Sequence, residues 1–286
     1  MPALLDFLNC AFGSRTWTSG SRMNILSNLF RSSLGKKYIM AASGAVMFLF
    51  VIGHLLGNLQ IFLGPEALNR YGHFLQSNPE LIWPARIFLL VMLVLHIWAA
   101  IRLSLENKAA RSVAYEQWKP VGSSYASRTM LMSGVIIFVF IVYHLLHFTV
   151  QAKYVNPTGE DFGKLTDNLQ RHDIYTMMVI GFSNMWVSGF YVLGIALLCL
   201  HLSHGVSSMF QSMGWKNQAF GPMLDKLARV VAVVIFLGYA SIPVAILFGY
   251  GKPPYKAPAT ASPAAGVRLS LAKCAEISRP GADWAV

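Results

Sequence analysis

The chain has 286 residues, of which 55% are hydrophobic and only 12% are charged. Soluble domains carry roughly 25% charged residues, so this composition excludes an ordinary soluble domain and indicates a protein embedded in a lipid bilayer. The formal net charge of +11 would suit nucleic-acid binding, but no basic stripe alternates with aromatic residues. Basic loops held on the cytoplasmic side of a membrane explain the charge, and we expect no nucleic-acid partner.

The cysteines Cys10, Cys199 and Cys274 lie far apart and form no Cys-x-x-Cys motif. This spacing argues against a disulfide framework, a zinc or iron-sulfur site and a covalently attached haem. The first 22 residues contain a short apolar run that Asp6 interrupts, without a convincing cleavage site. A true start at Met23 and a genuine N-terminal extension both remain open.

Charge-free stretches predict five membrane spans, since each is long enough for the roughly 20 apolar residues that a span needs. They lie, in chain order, at about 38–63, 81–101, 129–151, 185–209 and 229–250. An interfacial segment is expected at about 174–182. The sequence thus predicts an all-α membrane protein with five transmembrane helices over residues 31–250, which pack as a bundle. An N-terminal cytoplasmic extension (1–30) and a disordered Pro- and Ala-rich tail (251–286) flank it.

The loops differ in charge. The N-terminal segment and the loops after the second and fourth spans are rich in Lys and Arg, whereas the other two loops are balanced or acidic. By the positive-inside rule the basic segments are cytoplasmic. This places the N-terminus on the cytoplasmic side and, after five spans, the C-terminus outside.

An internal repeat with a period of 90 residues relates the first and third spans. The two copies read Met-Ala-Ala-Ser43-Gly44, nine residues, His54-Leu-Leu and Met-Leu-Met-Ser133-Gly134, nine residues, His144-Leu-Leu. The repeat suggests two related helix pairs with a common role for the two histidines. The fifth span stands outside it.

Six histidines fall within the spans: His54, His96, His144, His147, His201 and His204. A lone histidine at this depth is more often a hydrogen-bonding contact between helices or a proton-relay group than a ligand. One histidine on each of four helices favours a shared function. Small residues such as Gly44 and Gly134 would let a flat macrocycle approach the backbone, although helix packing favours them equally.

Depth along the helices sorts the histidines into two levels. At about 1.5 Å per residue, His54 and His144 share an outer level, whereas His96 and one histidine of the fourth span share an inner level on the order of 10 Å away. Two opposed imidazoles at each level meet the requirement for bis-histidine haem ligation. A zinc site would need three or four ligands at one level. Spacing does not choose between His144 and His147, or between His201 and His204.

Four motifs carry a family resemblance over roughly residues 30 to 250. They are Ser43-Gly44-x9-His54, His96-Ile-Trp-Ala-Ala-Ile-Arg102, Ser133-Gly134-x9-His144-Leu and His201-Leu-Ser-His-Gly205. The array resembles the dihaem cytochrome b membrane anchor of succinate dehydrogenases and fumarate reductases. The resemblance implies five spans, of which the first four form a haem-binding bundle. It also implies two b haems, with His54 and His144 on the outer iron and His96 and His201 on the inner iron.

In that family a flavoprotein subunit and an iron-sulfur subunit sit on the cytoplasmic face of a bacterial cytoplasmic membrane. Electrons pass between succinate or fumarate and a membrane quinone, expected here to be menaquinone, and this subunit does not touch the dicarboxylate. The basic loops fit docking of the iron-sulfur subunit, or they are simply solvated charge.

The resemblance also implies a quinone site near the outer haem. Gln60, Glu66, Tyr71 and His73 could supply a hydrogen-bond donor and a protonatable group there. No family motif matches Glu66, so ordinary loop residues are the alternative. Two other functions remain open for the whole chain: the cytochrome b subunit of a hydrogenase or formate dehydrogenase, and a haem-free transporter with a histidine proton relay. The repeated Ser-Gly-x9-His-Leu pattern favours the succinate dehydrogenase and fumarate reductase family.

Overall fold

The structure, a computed structural model, describes residues 29–110 and 129–251. Over these ranges the chain is helical and contains no β-strand beyond an isolated bridge between Thr166 and His172. The predicted extension up to residue 28, the predicted tail from residue 252, and two of the three cysteines lie outside the described residues. The third, Cys199, is a free cysteine buried in the bundle.

Seven α-helices are described, in chain order α1 (Ser33–Leu59), α2 (Pro65–Gln76), α3 (Pro79–Ala109), α4 (Met130–His144), α5 (Ile174–Ser183), α6 (Met185–Ser212) and α7 (Gly221–Leu247). A 3-10 turn (Gln60–Leu63) extends α1, and a π-helical turn (Leu145–Thr149) extends α4. Two short 3-10 turns (Lys153–Val155 and Phe162–Lys164) lie between α4 and α5. Among the described residues, α1, α3, α4, α6 and α7, with these extensions, are long and apolar enough to cross a membrane. The all-α, five-span prediction is confirmed.

The helix ends follow local capping signals more closely than charge. Ser32 caps α1 by accepting a hydrogen bond from Gly35 N at 3.0 Å. Asn184 separates α5 from α6 and caps α6 by accepting from Trp186 N at 2.9 Å. The predicted break before the fourth span therefore has a specific cause, since the extended backbone of one capping residue interrupts the helix.

Several spanning helices extend beyond their predicted limits, two of them by about two turns. Helix α3 continues past Arg102 to Ala109, and α7 begins at Gly221, eight residues before the predicted start. Charged residues marked the limits in the sequence, but long charged side chains reach the headgroup region from within a helix. Charge therefore located the ends of the apolar core rather than the ends of the helices.

The spanning helices pack as a bundle. Helix α1 packs against α3, α6 and α7, and α6 also packs against α4 and α7. Many large apolar side chains face outward, among them Leu49, Val94 and Leu237. Such an apolar exterior, carried by helices that make their backbone hydrogen bonds internally, suits lipid. The chain is a multi-pass membrane protein.

Helices α2 and α5 pack together at one end of the bundle, hereafter the α2/α5 end. Asn69 of α2, only 2% exposed, donates to Asp173 Oδ1 at 3.0 Å and accepts from Tyr175 N at 2.9 Å. The α2 segment was expected to be a loop. It folds because Gly64 adopts a positive φ of 97° and Pro65 then starts the helix.

Ion pairs join neighbouring helices at the opposite end. Buried Lys36 of α1 lies 2.6 Å from Glu106 of α3. Lys216 lies 2.6 Å from Asp225, which Ser207 of α6 also contacts. Two basic residues that the sequence analysis counted only as flanking charge thus hold helices together.

Candidate functional site

Four histidines on four helices form two facing pairs. The ring centroids of His54 (α1) and His144 (α4) are 5.9 Å apart with an interplanar angle of 79°. Those of His96 (α3) and His201 (α6) are 6.4 Å apart with an angle of 60°. The structure therefore brings together the four residues and the two pairings that the sequence predicted. Their assignment as metal ligands stays a prediction.

The spacing of each pair can be compared with the requirement of a metal held between two imidazoles. Two metal–nitrogen bonds of roughly 2 Å and two ring radii of about 1 Å place the ring centres about 6 Å apart. Both observed separations agree with this distance. All four rings are half-buried inside the bundle, so ring surface remains accessible to a ligand. These residues fit a bis-histidine haem.

The side chains available as metal ligands also indicate which kind of metal site the bundle fits. Within residues 29–110 and 129–251, no group of three or more His, Cys, Asp or Glu side chains gathers around a common point. Two neutral imidazoles alone suit a metal whose other four ligands come from a planar macrocycle.

Hydrogen bonds fix which nitrogen of His96 carries the proton. Its Nδ1 lies 3.1 Å from the Met40 carbonyl oxygen and 3.3 Å from Ser43 Oγ. The Ser43 hydroxyl donates its own proton to the Ile39 carbonyl at 2.6 Å. Both neighbours therefore accept from Nδ1–H, which leaves the Nε2 lone pair free to bind a metal.

His201 is held in the same way by the second copy of the repeat. Its Nδ1 lies 3.2 Å from Ser133 Oγ, and that hydroxyl donates to the Met130 carbonyl at 3.0 Å. With the hydroxyl proton on that carbonyl, Ser133 accepts from Nδ1–H of His201, which leaves Nε2 free as in His96. The two histidines of this pair have matching tautomers because two copies of one motif hold them.

The glycine of each motif lies beside the same rings. An added Cβ at Gly44 would come within 3.2 Å of His96 Cε1, and one at Gly134 within 3.8 Å of His201 Cε1. The two halves of each Ser-Gly-x9-His unit thus lie at different histidine pairs. The Ser-Gly half contacts the His96/His201 pair, and the histidine belongs to the His54/His144 pair. The spacing of the motif in the sequence does not encode this division.

The two pairs are separated along the bundle axis. Ser43, which contacts His96, lies eleven residues before His54 on α1, a rise of about 16 Å. The structure is consistent with two distinct levels.

Aromatic rings surround the His54/His144 pair. Phe50 stacks on His54 at 5.3 Å, and Phe140 stacks on His144 at 6.2 Å. Tyr239 of α7 lies 6.2 Å from His54 and donates to the Val51 carbonyl at 2.7 Å. The fifth span, outside the repeat, therefore lines one pair. Sequence reasoning missed Tyr239 because no spacing rule connects it to the histidines.

The two remaining intramembrane histidines have other partners. His147, only 1% exposed, places Nδ1 3.1 Å from the Tyr191 hydroxyl of α6, while its Nε2 has no hydrogen-bond partner among the described residues. His204 contacts Ser208 of its own helix through Nε2 at 3.0 Å. Among the described residues, neither ring pairs with an imidazole of another helix.

Other glycines serve helix packing instead. An added Cβ at Gly57 would lie 2.9 Å from the Tyr71 ring, and one at Gly194 would lie 2.5 Å from the Phe140 ring. Because these glycines have no side chain, a tyrosine or phenylalanine ring, rather than a histidine, packs against the helix there. The small residues therefore do not share one role.

The predicted quinone residues lie at or near the α2/α5 end. Tyr71 packs on α1 at Gly57, one turn beyond His54. Gln60 is half-buried in the 3-10 turn, and His73 is exposed on α2. Of these three, the structure brings only Tyr71 against the helix that carries a paired histidine.

Glu66 is occupied by an ion pair. Its carboxylate accepts two hydrogen bonds from Arg171, at 2.6 and 3.2 Å, although its side chain is 65% exposed. The hydrogen bonds and the charge of Arg171 hold the pKa of Glu66 below its ordinary value. The residue joins α2 to the segment before α5, a structural role that the sequence did not reveal.

Comparison with known proteins gives one curated relative at modest identity. The chain is 22% identical over 205 residues to the succinate dehydrogenase cytochrome b558 subunit of Bacillus subtilis (strain 168), covering 71% of this chain and 89% of that protein. No family model matches, and no solved structure gives a significant match. The resemblance predicted from the four histidine motifs is confirmed at this level, and the chain is similar to the cytochrome b subunit of succinate dehydrogenase.

Proposed function

We propose that the chain is the membrane-anchor cytochrome b subunit of a succinate:quinone oxidoreductase. It passes electrons between an iron-sulfur subunit and a membrane quinone, expected to be menaquinone, through two b haems. The observation that carries the proposal is the pair of facing imidazoles at each of two levels, 5.9 and 6.4 Å between ring centres. The relative named as a succinate dehydrogenase cytochrome b558 subunit supports it.

In this proposal His54 and His144 bind the iron of one haem, and His96 and His201 bind the other. Each haem supplies a one-electron carrier buried in the membrane. The chain's own contribution is to present neutral imidazoles in one tautomer. Ser43 and Ser133 accept the Nδ1 protons of His96 and His201, which directs Nε2 toward the metal and makes each imidazole a stronger donor.

The positive-inside rule supports the orientation of the complex. The end that carries His96 and His201 faces the cytoplasm and docks the iron-sulfur subunit, which in turn holds the flavoprotein subunit. The α2/α5 end faces outward, so the N-terminus is cytoplasmic and the C-terminus lies outside the bacterial cytoplasmic membrane. Electrons then move between the His96/His201 level and the His54/His144 level.

The quinone site belongs at the α2/α5 end in this proposal. Tyr71 is its best-supported member, because its ring lies against α1 one turn beyond His54. Gln60 and His73 supply further contacts in this proposal. Glu66 is a weaker candidate for proton transfer, because a carboxylate whose pKa is held low by Arg171 is a poor base.

The proposal is tested by purifying the complex from native membranes and recording difference spectra after adding one electron donor at a time. We expect succinate to reduce b-type bands and the flavoprotein and iron-sulfur subunits to copurify. Reduction by hydrogen or formate, but not by succinate, would instead support the hydrogenase or formate dehydrogenase alternative. Absence of b-type bands after dithionite would contradict a haem protein and support the transporter.

A further inference from the structure

One tyrosine hydroxyl lies between two histidines of the same helical segment. Tyr191 of α6 is 3% exposed, and its hydroxyl oxygen is 3.4 Å from His144 Nδ1 and 3.1 Å from His147 Nδ1. Aromatic rings enclose the group, with Phe148 4.1 Å and Phe162 5.5 Å from the His147 ring. The hydroxyl is thus a shared contact of a predicted ligand and a histidine without an assigned role.

A single hydroxyl proton limits how these three groups can be arranged. A phenol donates one hydrogen bond and accepts others, and each neutral imidazole carries one proton. If Tyr191 donates to His144, the proton of His144 sits on Nε2 and blocks that nitrogen as a ligand. If Tyr191 donates to His147, it accepts from Nδ1–H of His144, and Nε2 of His144 is free.

We propose that Tyr191 and His147 are positioning residues for His144. His147 accepts the Tyr191 proton, which turns a lone pair of the phenol oxygen toward His144 and holds His144 in the metal-binding tautomer. The inference rests on the proposed function, because it takes His144 as a haem ligand.

This arrangement places the proton of His147 on a nitrogen that has no described hydrogen-bond partner. With Nδ1 accepting from Tyr191, the proton of His147 must sit on the buried Nε2, which has no acceptor among the described residues. A buried unpaired N–H is unfavourable and calls for an explanation. Acting as the proton acceptor of Tyr191 supplies one.

The first copy of the repeat lacks an equivalent of the Tyr191–His147 contact. Gly57 occupies the position on α1 that His147 occupies after α4, and it packs against Tyr71 instead. The chain after His144 also changes to a π-helical turn, a feature often found at functional sites. His54 therefore has no counterpart of the Tyr191–His147 contact.

The test uses the full complex carrying Tyr191→Phe, with haem content, a potentiometric titration of the two b components and low-temperature electron paramagnetic resonance as readouts. Loss of the acceptor makes the His144 imidazole a weaker donor, which favours ferrous iron. We expect both haems to be retained. The component that His54→Ala removes should shift to higher potential with altered g-values, while the other component stays unchanged.

Two further variants test the same inference, one by removing His147 and one as a control. His147→Leu removes the acceptor of Tyr191 and should shift the same component in the same direction by less. Tyr143→Phe is the matched control, because Tyr143 packs 5.4 Å from the His147 ring but its hydroxyl bonds to neither histidine. It should leave both potentials unchanged.

Unchanged potentials and spectra in Tyr191→Phe with full haem content would overturn the inference, as would a shift of the other component. If Tyr191→Phe does not assemble, an absent shift in His147→Leu overturns it. Failure of the proposed function is distinguishable in the unaltered complex, where succinate would not reduce the b components or the b components would be absent. Only their absence would also overturn the inference about Tyr191 and His147.

Discussion

The two histidine pairs are built differently although the chain that forms them repeats. At the His96/His201 pair, two copies of Ser-Gly hold two histidines through the same nitrogen, at 3.3 and 3.2 Å. At the His54/His144 pair the histidines themselves repeat, but Tyr239 lies beside one and Tyr191 beside the other. A duplicated motif thus gives one symmetric environment and one asymmetric environment.

The difference follows from what surrounds each pair. The His96/His201 pair is contacted by the Ser-Gly residues of the repeated helices, whereas α7, which has no partner in the repeat, places Tyr239 beside the other pair. Axial-ligand hydrogen bonds and surrounding polarity tune a bound haem. Two haems held by such different contacts should therefore differ in potential and spectrum.

The largest expected effect is the loss of one haem at a time. His96→Ala should remove the component at the symmetric pair, and His54→Ala the component at the asymmetric pair, because each change leaves the other pair intact. Haem content and redox titration of each purified variant measure this. If both substitutions abolish the same component, the pairing is wrong.

A smaller effect is expected from crowding one ring of the symmetric pair. Gly44→Ala places a Cβ 3.2 Å from His96 Cε1, which forces the ring to move by a few tenths of an ångström, whereas Gly134→Ala leaves an ordinary 3.8 Å contact to His201. Gly44→Ala should alter the low-spin resonance of the His96/His201 haem, and Gly134→Ala should not. Equal changes in the two variants would contradict the described geometry.

A graded effect is expected from the two serines. Ser133→Ala removes the described hydrogen-bond partner of His201 Nδ1, whereas after Ser43→Ala the Met40 carbonyl still accepts from His96 at 3.1 Å. Both variants should raise the potential of the His96/His201 component, and Ser133→Ala should raise it more. The potential of the other component serves as an internal control. A larger rise in potential in Ser43→Ala than in Ser133→Ala would show that the Met40 carbonyl does not replace Ser43 as the acceptor of the His96 proton.

The span prediction and the site prediction depended on different information. Charge and hydropathy located five apolar cores, and helix rise sorted the histidines by depth, because both are properties of local sequence. Spacing could not choose His144 over His147, since residues three apart share a helix face. The resemblance chose His144, and the structure places it opposite His54.

Other parts of the site depend on contacts that the sequence pattern does not encode. Tyr191 is 47 residues from His144, and its contact depends on how α6 rotates against α4. Helix α2 was missed because it is short and contains the charged residues Glu66 and Arg70, so no long apolar stretch marked it. Its position depends on Asn69 bonding to a segment 104 residues away.

The smallest expected effect concerns the α2/α5 end beside the asymmetric pair. Burial acts to raise the pKa of Asp173, but hydrogen bonds from Thr176 and Asn69 outweigh it and hold the pKa below the usual 3.8. A lowered folded-state pKa means that the unfolded chain binds more protons. The stabilisation is therefore present above about pH 4 and lost as the pH falls through the folded value.

Thermal unfolding of the purified complex between pH 7 and the lowest tolerated pH measures this effect. Asp173→Asn should reduce the acid-dependent loss of stability, and Asp161→Asn, in the same loop, is the control. An unchanged pH dependence in Asp173→Asn would contradict the role of this carboxylate. The two b components are followed in the same acidification. If the His96/His201 component is lost before the His54/His144 component, α2 and α5 do not support the His54/His144 pair, which lies nearer to them.

The central claim is that one chain holds two haems between two pairs of histidines. It is tested most directly by measuring the haem-to-protein ratio of the purified complex together with its low-temperature electron paramagnetic resonance spectrum. The account predicts two b haems per chain, both low-spin with two axial imidazoles. A ratio near one, the absence of haem, or a ligand other than histidine on either iron would contradict it.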